Sequence, residues 1–468
     1  MKLEQIYTKC LAQGAYYIES EGEAAVIDPL RETFPYIDRA NSDGAQIKYI
    51  FETHFHADFV SGHLDLAKDT DATIVFGPEA NPSFAFHSAK DGEVFRVGAL
   101  TITALHTPGH TMESTCYLLK DDKEKEIAVF TGDTLFIGDV GRPDLAQKSA
   151  KMTQEELAGV LFDSLRTKIM PLNDDVIVYP AHGAGSACGK NMSKETFSTL
   201  GEQKKSNYAL QKGLSREDFI RDLTDGLLPP PSYFGMNVAL NKSGYDNIDE
   251  VIDRGLNPIT IQRLKELSLE SDILILDTRK ADDYAKGHIP GSIFIGLEGQ
   301  FAPWVGALIP DIRQKLVLIT PNGKEEETVR RLARVGYDQV MGYLKGSFQV
   351  WLDKGENIET IDRITVDELL SLDLPSSTIV DVRKPGEYEA SHIEGAKLLP
   401  LDFINDSISE YPAKVPFILH CAGGYRSMIA ASILKRNGIH DIKDIIGGFN
   451  AIPDDTGLTT AFVCPSEN

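Results

Sequence analysis

The chain is short of cysteine, of positive charge and of long apolar runs, and each shortage closes a class of function. Five cysteines (Cys10, Cys116, Cys188, Cys421 and Cys464) are scattered through 468 residues. An odd, dispersed set in so long a chain is no disulfide framework, and it points to reduced thiols and a cytoplasmic protein. Lysine and arginine number 47 against 70 aspartates and glutamates, a formal net charge of −23. That excess disfavours nucleic acid and anionic membrane as partners, and any anionic substrate needs a local positive site. No apolar run approaches the ~18 residues of a membrane-spanning helix. The opening MKLEQIYTKCLAQGAYYIES lacks a basic region followed by an apolar core, so it reads as early strands and not as an export signal.

What is present is ordinary globular material, 42% hydrophobic and 25% charged, with length enough for several domains. The chain divides into residues 1–240, 241–357 and 358–468. In the first block the β-rich runs AAVIDP, KYIFETH, ATIVFGP, LTITALHTP, IAVFTGD and DVIVYPAHG each end in a polar or glycine-containing turn. The histidines and aspartates that could carry chemistry stand just beyond those strand ends. At the end of this block LLPPPSYFGMNVALN, Leu227 to Asn241, reads as an extended linker.

The rest of the chain is an internal repeat. ILILDTRKADDYAKGHIPGSIFIGL (Ile273 to Leu297) matches TIVDVRKPGEYEASHIEGAKLLPL (Thr378 to Leu401), aligning Asp277 with Asp381, Arg279 with Arg383, His288 with His392 and Gly291 with Gly395. Each copy is about 100 residues of α/β pattern, enough for a domain.

Two constellations stand out. In the first block, FETHFHADFVSGH supplies His54, His56 and Asp58, and His110, Asp133 and His182 follow in HTPGHT, FTGDTLF and YPAHG. Imidazoles and carboxylates gathered at strand ends suit a first-row transition metal. His54, His56 and His110 would make a three-histidine site of the kind used in zinc hydrolysis. His54, His110 and Asp133 would instead make a two-histidine, one-carboxylate face, which leaves positions open and is typical of ferrous oxygenases. Ligand count alone does not choose between them.

The second constellation lies in FILHCAGGYRSMIAASILKRNGI. An apolar strand ends at His420, Cys421 opens a loop of small residues, and a helix begins near Arg426 or Ser427. The sulfur would sit over backbone N–H groups at a helix start beside a guanidinium, features that stabilise a thiolate. The loop residues are Ala422, Gly423, Gly424, Tyr425, Arg426 and Ser427. The first copy has Thr320, Pro321 and Asn322 where the cysteine loop should begin, and its segment contains no cysteine.

The first block resembles the metallo-β-lactamase fold, an αββα sandwich, whose binuclear hydrolases carry H-x-H-x-D-H. Phe59 stands where that last histidine would be, so the resemblance implies one metal and an empty second site. It is most similar to the persulfide dioxygenase branch, which implies Fe(II), one per chain, held by His54, His110 and Asp133. In that reading His56, Asp58 and His182 orient ligands or water, and Arg142 of GDVGRPDL binds the thiol part of the substrate; Cys188 of HGAGSACGK, close to the site in sequence, reads either as a persulfide acceptor or as a buried small apolar residue. The same HGAGSACGK lacks the aromatic residue of glutathione-using members, so coenzyme A or another small thiol stands beside glutathione as the carrier.

The last two blocks resemble rhodanese domains, one without a nucleophile and one with Cys421 and Arg426 in C-x₄-R spacing, the short loop of sulfur transferases. The whole chain is therefore expected to be an α/β multidomain protein resembling the bacterial persulfide dioxygenase–rhodanese fusions. That resemblance implies use of O₂, a small thiol persulfide, sulfite and thiosulfate, and a homo-oligomer. Two other readings carry different expectations: a zinc thioesterase of the glyoxalase II type with an accessory rhodanese, and a non-catalytic persulfide carrier or sensor.

Overall fold

The computed structural model describes residues 1–270, 272–372, 378–453 and 456–462, so Cys464 lies outside the described residues. The chain forms two compact units: residues 1–248 together with 333–336, and the remainder.

In the first unit two six-stranded sheets face each other. One runs Lys2–Thr8, Gln13–Ser20, Glu23–Ile27, Gln46–Phe51, Thr73–Phe76, His87–Ser88 in spatial order; the other runs Ser198–Thr199, Ile177–Pro180, Glu126–Gly132, Thr115–Lys120, Leu100–His106, Val94–Val97. Alternation along the strands assigns every second residue to a different layer. Tyr16, Ile18, Ala25, Ile27, Phe51, Tyr117, Leu119 and Phe130 fill the space between the sheets. Their neighbours Tyr17, Val26 and Ile50 face outward, onto Tyr36 and Ala40 of helix Phe34–Asp43 and Leu66 of helix His63–Thr70. On the other sheet, Leu118, Val129 and Val178 pack against Ala158 and Leu161 of helix Gln154–Ser164. Because both faces of each sheet are covered, these strands read as near-continuous apolar runs. The result is the four-layered αββα sandwich.

One expectation needs correction. Leu227 to Asn241 is not an extended linker throughout, because Phe234–Ser243 is a helix. The three prolines stop at Pro231, before the helix begins, and from there Phe234, Asn237 and Asn241 recur at helical spacing and are buried.

The second unit contains two five-stranded sheets. One has the order Pro258–Ile259, Val340–Leu344, Lys315–Ile319, Ile273–Asp277, Ile293–Phe294; the other has Asp362–Ile364, Ile442–Ile445, Phe417–His420, Ile379–Asp381, Lys397–Leu398. All strand pairs are parallel and the order is the same, so the sequence repeat is a structural repeat. Matching side chains do matching jobs: Arg279 clasps Asp277 and lies 4.1 Å over Phe348, while Arg383 clasps Asp381 and lies 4.0 Å over Phe449. Among the described residues, no helix is long and apolar enough to cross a membrane.

Candidate metal centre and sulfur loop

The metal constellation assembles at the strand ends. Asp28 follows strand Glu23–Ile27 and accepts from Thr53 twice, from its N–H (2.7 Å) and its hydroxyl (2.9 Å). With its proton given to Asp28, the Thr53 hydroxyl is the acceptor for His54 Nδ1–H at 3.0 Å, which leaves Nε2 as a bare lone pair. His110 reaches the same state differently, its Nδ1–H donating to the Arg142 carbonyl at 2.7 Å. Both Nε2 atoms face Asp133 Oδ2, at 3.8 Å from His54 and 3.4 Å from His110. Asp133 follows Gly132, whose φ of 52° and close approach to Thr53 exclude a side chain; a Cβ there would lie 2.5 Å from the Thr53 hydroxyl.

His56 lies beside His54, 4.2 Å between ring centroids, and one of its ring nitrogens groups with Asp58 and His182 within 4.8 Å, but its other edge faces away. Its Nε2 is 3.1 Å from Asp28 Oδ1 and 3.5 Å from Glu52 Oε2, among groups that the sequence reading did not single out. Burial, with Asp28 close by, holds the Glu52 carboxyl well above the usual range, and Glu52 also contacts His63 at 3.2 Å. On the other side of Asp133, His182 Nε2 lies 3.4 Å from Asp58 Oδ1 and 3.6 Å from Asp133 Oδ1.

The electrostatics follow the burial. Desolvation, reinforced by His56, His110 and His182, pushes His54 well below the ordinary imidazole range. Burial acts in the same direction on His182, but Asp58 and Asp133 outweigh it and hold that ring well above. Cys188 is 1% exposed, and burial together with Asp58 and Asp133 pushes its thiol up to about 12. Both oxygens of Asp133, Oδ1 of Asp58 and both nitrogens of His182 are buried without a hydrogen-bond partner. Orphaned polar atoms of this kind are costly unless something joins them, and the ligand atoms of His54, His110 and Asp133 all lie within 4.8 Å of one another. The residues present therefore fit a metal ion.

Arg142 is buried, but its fork is occupied. It donates to Asp144 through Nε (2.7 Å) and Nη2 (2.8 Å), and to the carbonyls of Ala187 (3.2 Å) and Leu228 (2.6 Å). An anionic thiol carrier would have to displace Asp144 to use it. Sequence reasoning also missed Asn241. From helix Phe234–Ser243 its amide donates to the His56 and Phe59 carbonyls (both 2.8 Å) and accepts from the Ser61 N–H (2.9 Å), fixing the metal loop. A lone asparagine behind three prolines carries no sequence signal of such a role.

In the second unit Cys421 follows strand Phe417–His420 and precedes helix Tyr425–Arg436, which begins one residue earlier than the sequence pattern indicates. The Gly424 N–H donates to Cys421 Sγ at 3.1 Å and the Ser427 hydroxyl lies 3.6 Å away. The Phe449 and Asn450 N–H groups grip the Cys421 and Ala422 carbonyls from the glycine-rich turn (2.7 and 2.9 Å). Arg426 makes a two-pronged ion pair with Glu387, at 2.6 and 2.7 Å, which was not anticipated. Tyr425 leaves its own domain: its hydroxyl donates to the Gly296 carbonyl of the cysteine-free copy at 2.7 Å. In that copy Thr320 and Glu325 occupy the places of Cys421 and Arg426, Asp283 that of Glu387, and a cavity of about 510 Å³ opens between Arg279, Pro321 and Phe348.

Residues 9–182 match the family model of the metallo-beta-lactamase superfamily, and residues 260–354 and 365–454 match that of the rhodanese-like domain. A metallo-beta-lactamase from Staphylococcus aureus subsp. aureus COL has a solved structure that superposes with a TM-score of 0.65 at 31% identity, covering 74% of this chain and 98% of that one. The chain belongs to the metallo-β-lactamase superfamily, in which its first domain is fused to two rhodanese-like domains. Among curated relatives, the human mitochondrial persulfide dioxygenase ETHE1 is 30% identical over 220 residues, 47% of this chain and 78% of that protein. The hydroxyacylglutathione hydrolase GloC of Haemophilus influenzae is 28% identical over 230 residues, 44% of this chain and 97% of that protein.

Proposed function

We propose that the protein is a persulfide dioxygenase with a coupled sulfurtransferase, oxidising the persulfide of a small thiol and passing sulfane sulfur to the sulfite formed. The observation that carries this reading is the grouping of donors: His54, His110 and Asp133 converge on one point, while His56 groups with Asp58 and His182 on one side and with Asp28 and Glu52 on the other. Two nitrogens and one oxygen make the open face suited to Fe(II). His54, His110 and Asp133 would hold a ferrous ion, which would supply the redox chemistry between the persulfide sulfur and O₂. The overall change is RSSH + O₂ + H₂O → RSH + SO₃²⁻ + 2H⁺. Thr53 and the Arg142 carbonyl keep the two imidazoles in the tautomer that presents Nε2. Phe59, buried against His56 at 4.3 Å between ring centroids, lines the site with an apolar wall and limits water.

At the second site Cys421 thiolate attacks the outer sulfur of a second persulfide: Cys421–S⁻ + RSSH → Cys421–SSH + RS⁻. Sulfite then takes that sulfur as thiosulfate and returns the thiolate. The loop amides and Arg426, once released from Glu387, hold the anions. The thiol carrier is coenzyme A, glutathione or another small thiol.

The test is O₂ uptake by iron-loaded protein with glutathione persulfide and coenzyme A persulfide in parallel. Uptake with either supports the dioxygenase; none with either overturns it. Cys421→Ser is expected to keep O₂ uptake and release sulfite in place of thiosulfate. Enzymatic thiosulfate from that variant would refute the transfer step. The similarity to GloC over nearly its full length supports a second reading, thioester hydrolysis with bound zinc. Turnover of a hydroxyacylglutathione by zinc-loaded protein would favour it.

A further inference from the structure

We propose that the rhodanese-like copy without a cysteine carries a binding site where its twin carries a catalytic one, its cavity taking a small organic anion: an apolar body bearing a carboxylate, sulfonate or phosphate. The cavity has a volume of about 510 Å³, a size that encloses small ligands. Pro321 and Asn322 line it at the places that Ala422 and Gly423 hold in the Cys421 loop. With Thr320 in place of that cysteine the cavity has no thiol, so a ligand is held there without reaction.

Charge selects the ligand. Arg279, Lys280, Lys286 and Lys324 line the cavity against two acids, Asp283 and Glu298, a cationic excess in a chain of net charge −23. Two of these lysines are peculiar to this copy: at the offsets of the repeat, Lys286 stands where the other copy has Ala390, and Lys324 where it has Tyr425. Among the described residues Lys286 pairs with no carboxylate. Lys280 and Lys324 are engaged only in exposed pairs, with Glu298 at 3.4 Å and Glu327 at 2.8 Å, which cost little to open. Arg279 is held by Asp277 and the Gly287 carbonyl through Nε and Nη2, which leaves Nη1 without a hydrogen-bond partner among the described residues. The walls ask for an apolar body. Leu297 and Phe348 are buried, while Leu352 and Ile358 are 45% and 39% exposed, large apolar side chains left open at one cavity. An inorganic oxyanion has nothing to set against them, and Glu325 and Glu326, which follow Lys324, are not among the lining residues. The proposal does not depend on the chemistry at Cys421 or at the metal centre.

The experiment is calorimetric titration of the full chain with 2-naphthalenesulfonate and, in parallel, with the neutral 2-naphthalenesulfonamide. The sulfonate should bind saturably, and the sulfonamide about tenfold more weakly. Lys286→Glu reverses one charge at an exposed position and should weaken the sulfonate about tenfold while leaving the sulfonamide unchanged. Leu352→Ser should weaken both probes alike, because it removes apolar wall and no charge. Lys414→Glu, an equal change of charge at an exposed position in the other copy, should alter neither. Absence of saturable binding, equal affinity for the two probes, or sulfonate affinity unchanged by Lys286→Glu or by Leu352→Ser would each overturn the proposal.

Discussion

Helix Phe234–Ser243 carries two buried asparagines one turn apart, and only one of them has work to do. Asn241 makes three hydrogen bonds to the metal loop at 2.8–2.9 Å, whereas both polar atoms of the Asn237 side chain are buried without a hydrogen-bond partner. Replacing each by leucine, which has the same branched skeleton of heavy atoms, removes the polar atoms while keeping the side chain's shape. Asn241→Leu strands the His56 and Phe59 carbonyls and the Ser61 N–H, each costing about 1–3 kcal/mol when buried and unpaired. Partial relaxation of the loop brings the expected loss to about 3–5 kcal/mol. Asn237→Leu removes an amide that is already unsatisfied and should be neutral or stabilising. The loop also presents His54 and His56, so Asn241→Leu should weaken metal binding about 10–100-fold, the usual scale for partners that orient ligands. Both tryptophans, Trp304 and Trp351, lie in the second unit, so their fluorescence does not report on this loop. Hydrogen exchange over residues 46–63 together with Fe²⁺ titration would. Equal exchange and equal metal affinity in the two variants would refute the assignment of Asn241.

Further outcomes can be checked in the second unit. Gly299→Ala, in the copy without a cysteine, should lower thiosulfate–cyanide sulfurtransferase activity, because its Cβ would lie 2.7 Å from the Tyr425 ring of the Cys421 loop. Tyr425→Phe, which loses only the bond to Gly296, should cost about 1 kcal/mol and raise KM more than it lowers kcat. Burial raises the Asp444 carboxyl to about 6 against the pull of Ser427 and Arg363. The folded state thus keeps a proton that the unfolded chain releases, and stability should fall as pH climbs from about 4 to 6, by roughly 3 kcal/mol at most. Guanidinium unfolding followed by tryptophan fluorescence should show this slope in the wild type and not in Asp444→Asn.

The parts of this molecule that were legible in its sequence are those fixed by short spacing. Strands covered on both faces wrote themselves as apolar runs, and the polar residues just past their ends became the donors, as with Phe51 before His54 and Gly132 before Asp133. The repeat was legible because the Asp–Arg brace and the Tyr–His stack recur at the same offsets. What stayed hidden was partner choice between distant residues. Nothing near His56 indicates that one edge of its ring lies against Asp28 and Glu52. Glu387 precedes Arg426 by 39 residues and Asn241 follows Phe59 by 182, so only the packed fold brings either pair together. The prolines before Phe234 misled for a related reason: they mark where a helix cannot run, and say nothing of where the next one starts.

The two rhodanese-like copies differ by more than a nucleophile, and this has a testable edge. Cys421 lies in a loop whose Gly424 amide points at the sulfur, with Arg426 paired to Glu387. At the matching places the first copy has Thr320, Glu325 and Asp283, so the thiol and the guanidinium are gone while the carboxylate is kept, and two acids stand where the other copy has an ion pair. Its following helix begins with Glu325, Glu326 and Glu327, which favour the helix dipole but repel an incoming sulfur oxyanion. Restoring sulfur alone should therefore fail. Thr320→Cys in a Cys421→Ser background should show no thiosulfate–cyanide sulfurtransferase activity above that background. Adding Glu325→Arg should restore a measurable rate, because Asp283 lies where the new guanidinium could pair. Activity from Thr320→Cys alone would mean that the loop amides suffice and that Arg426 is dispensable in the working copy as well.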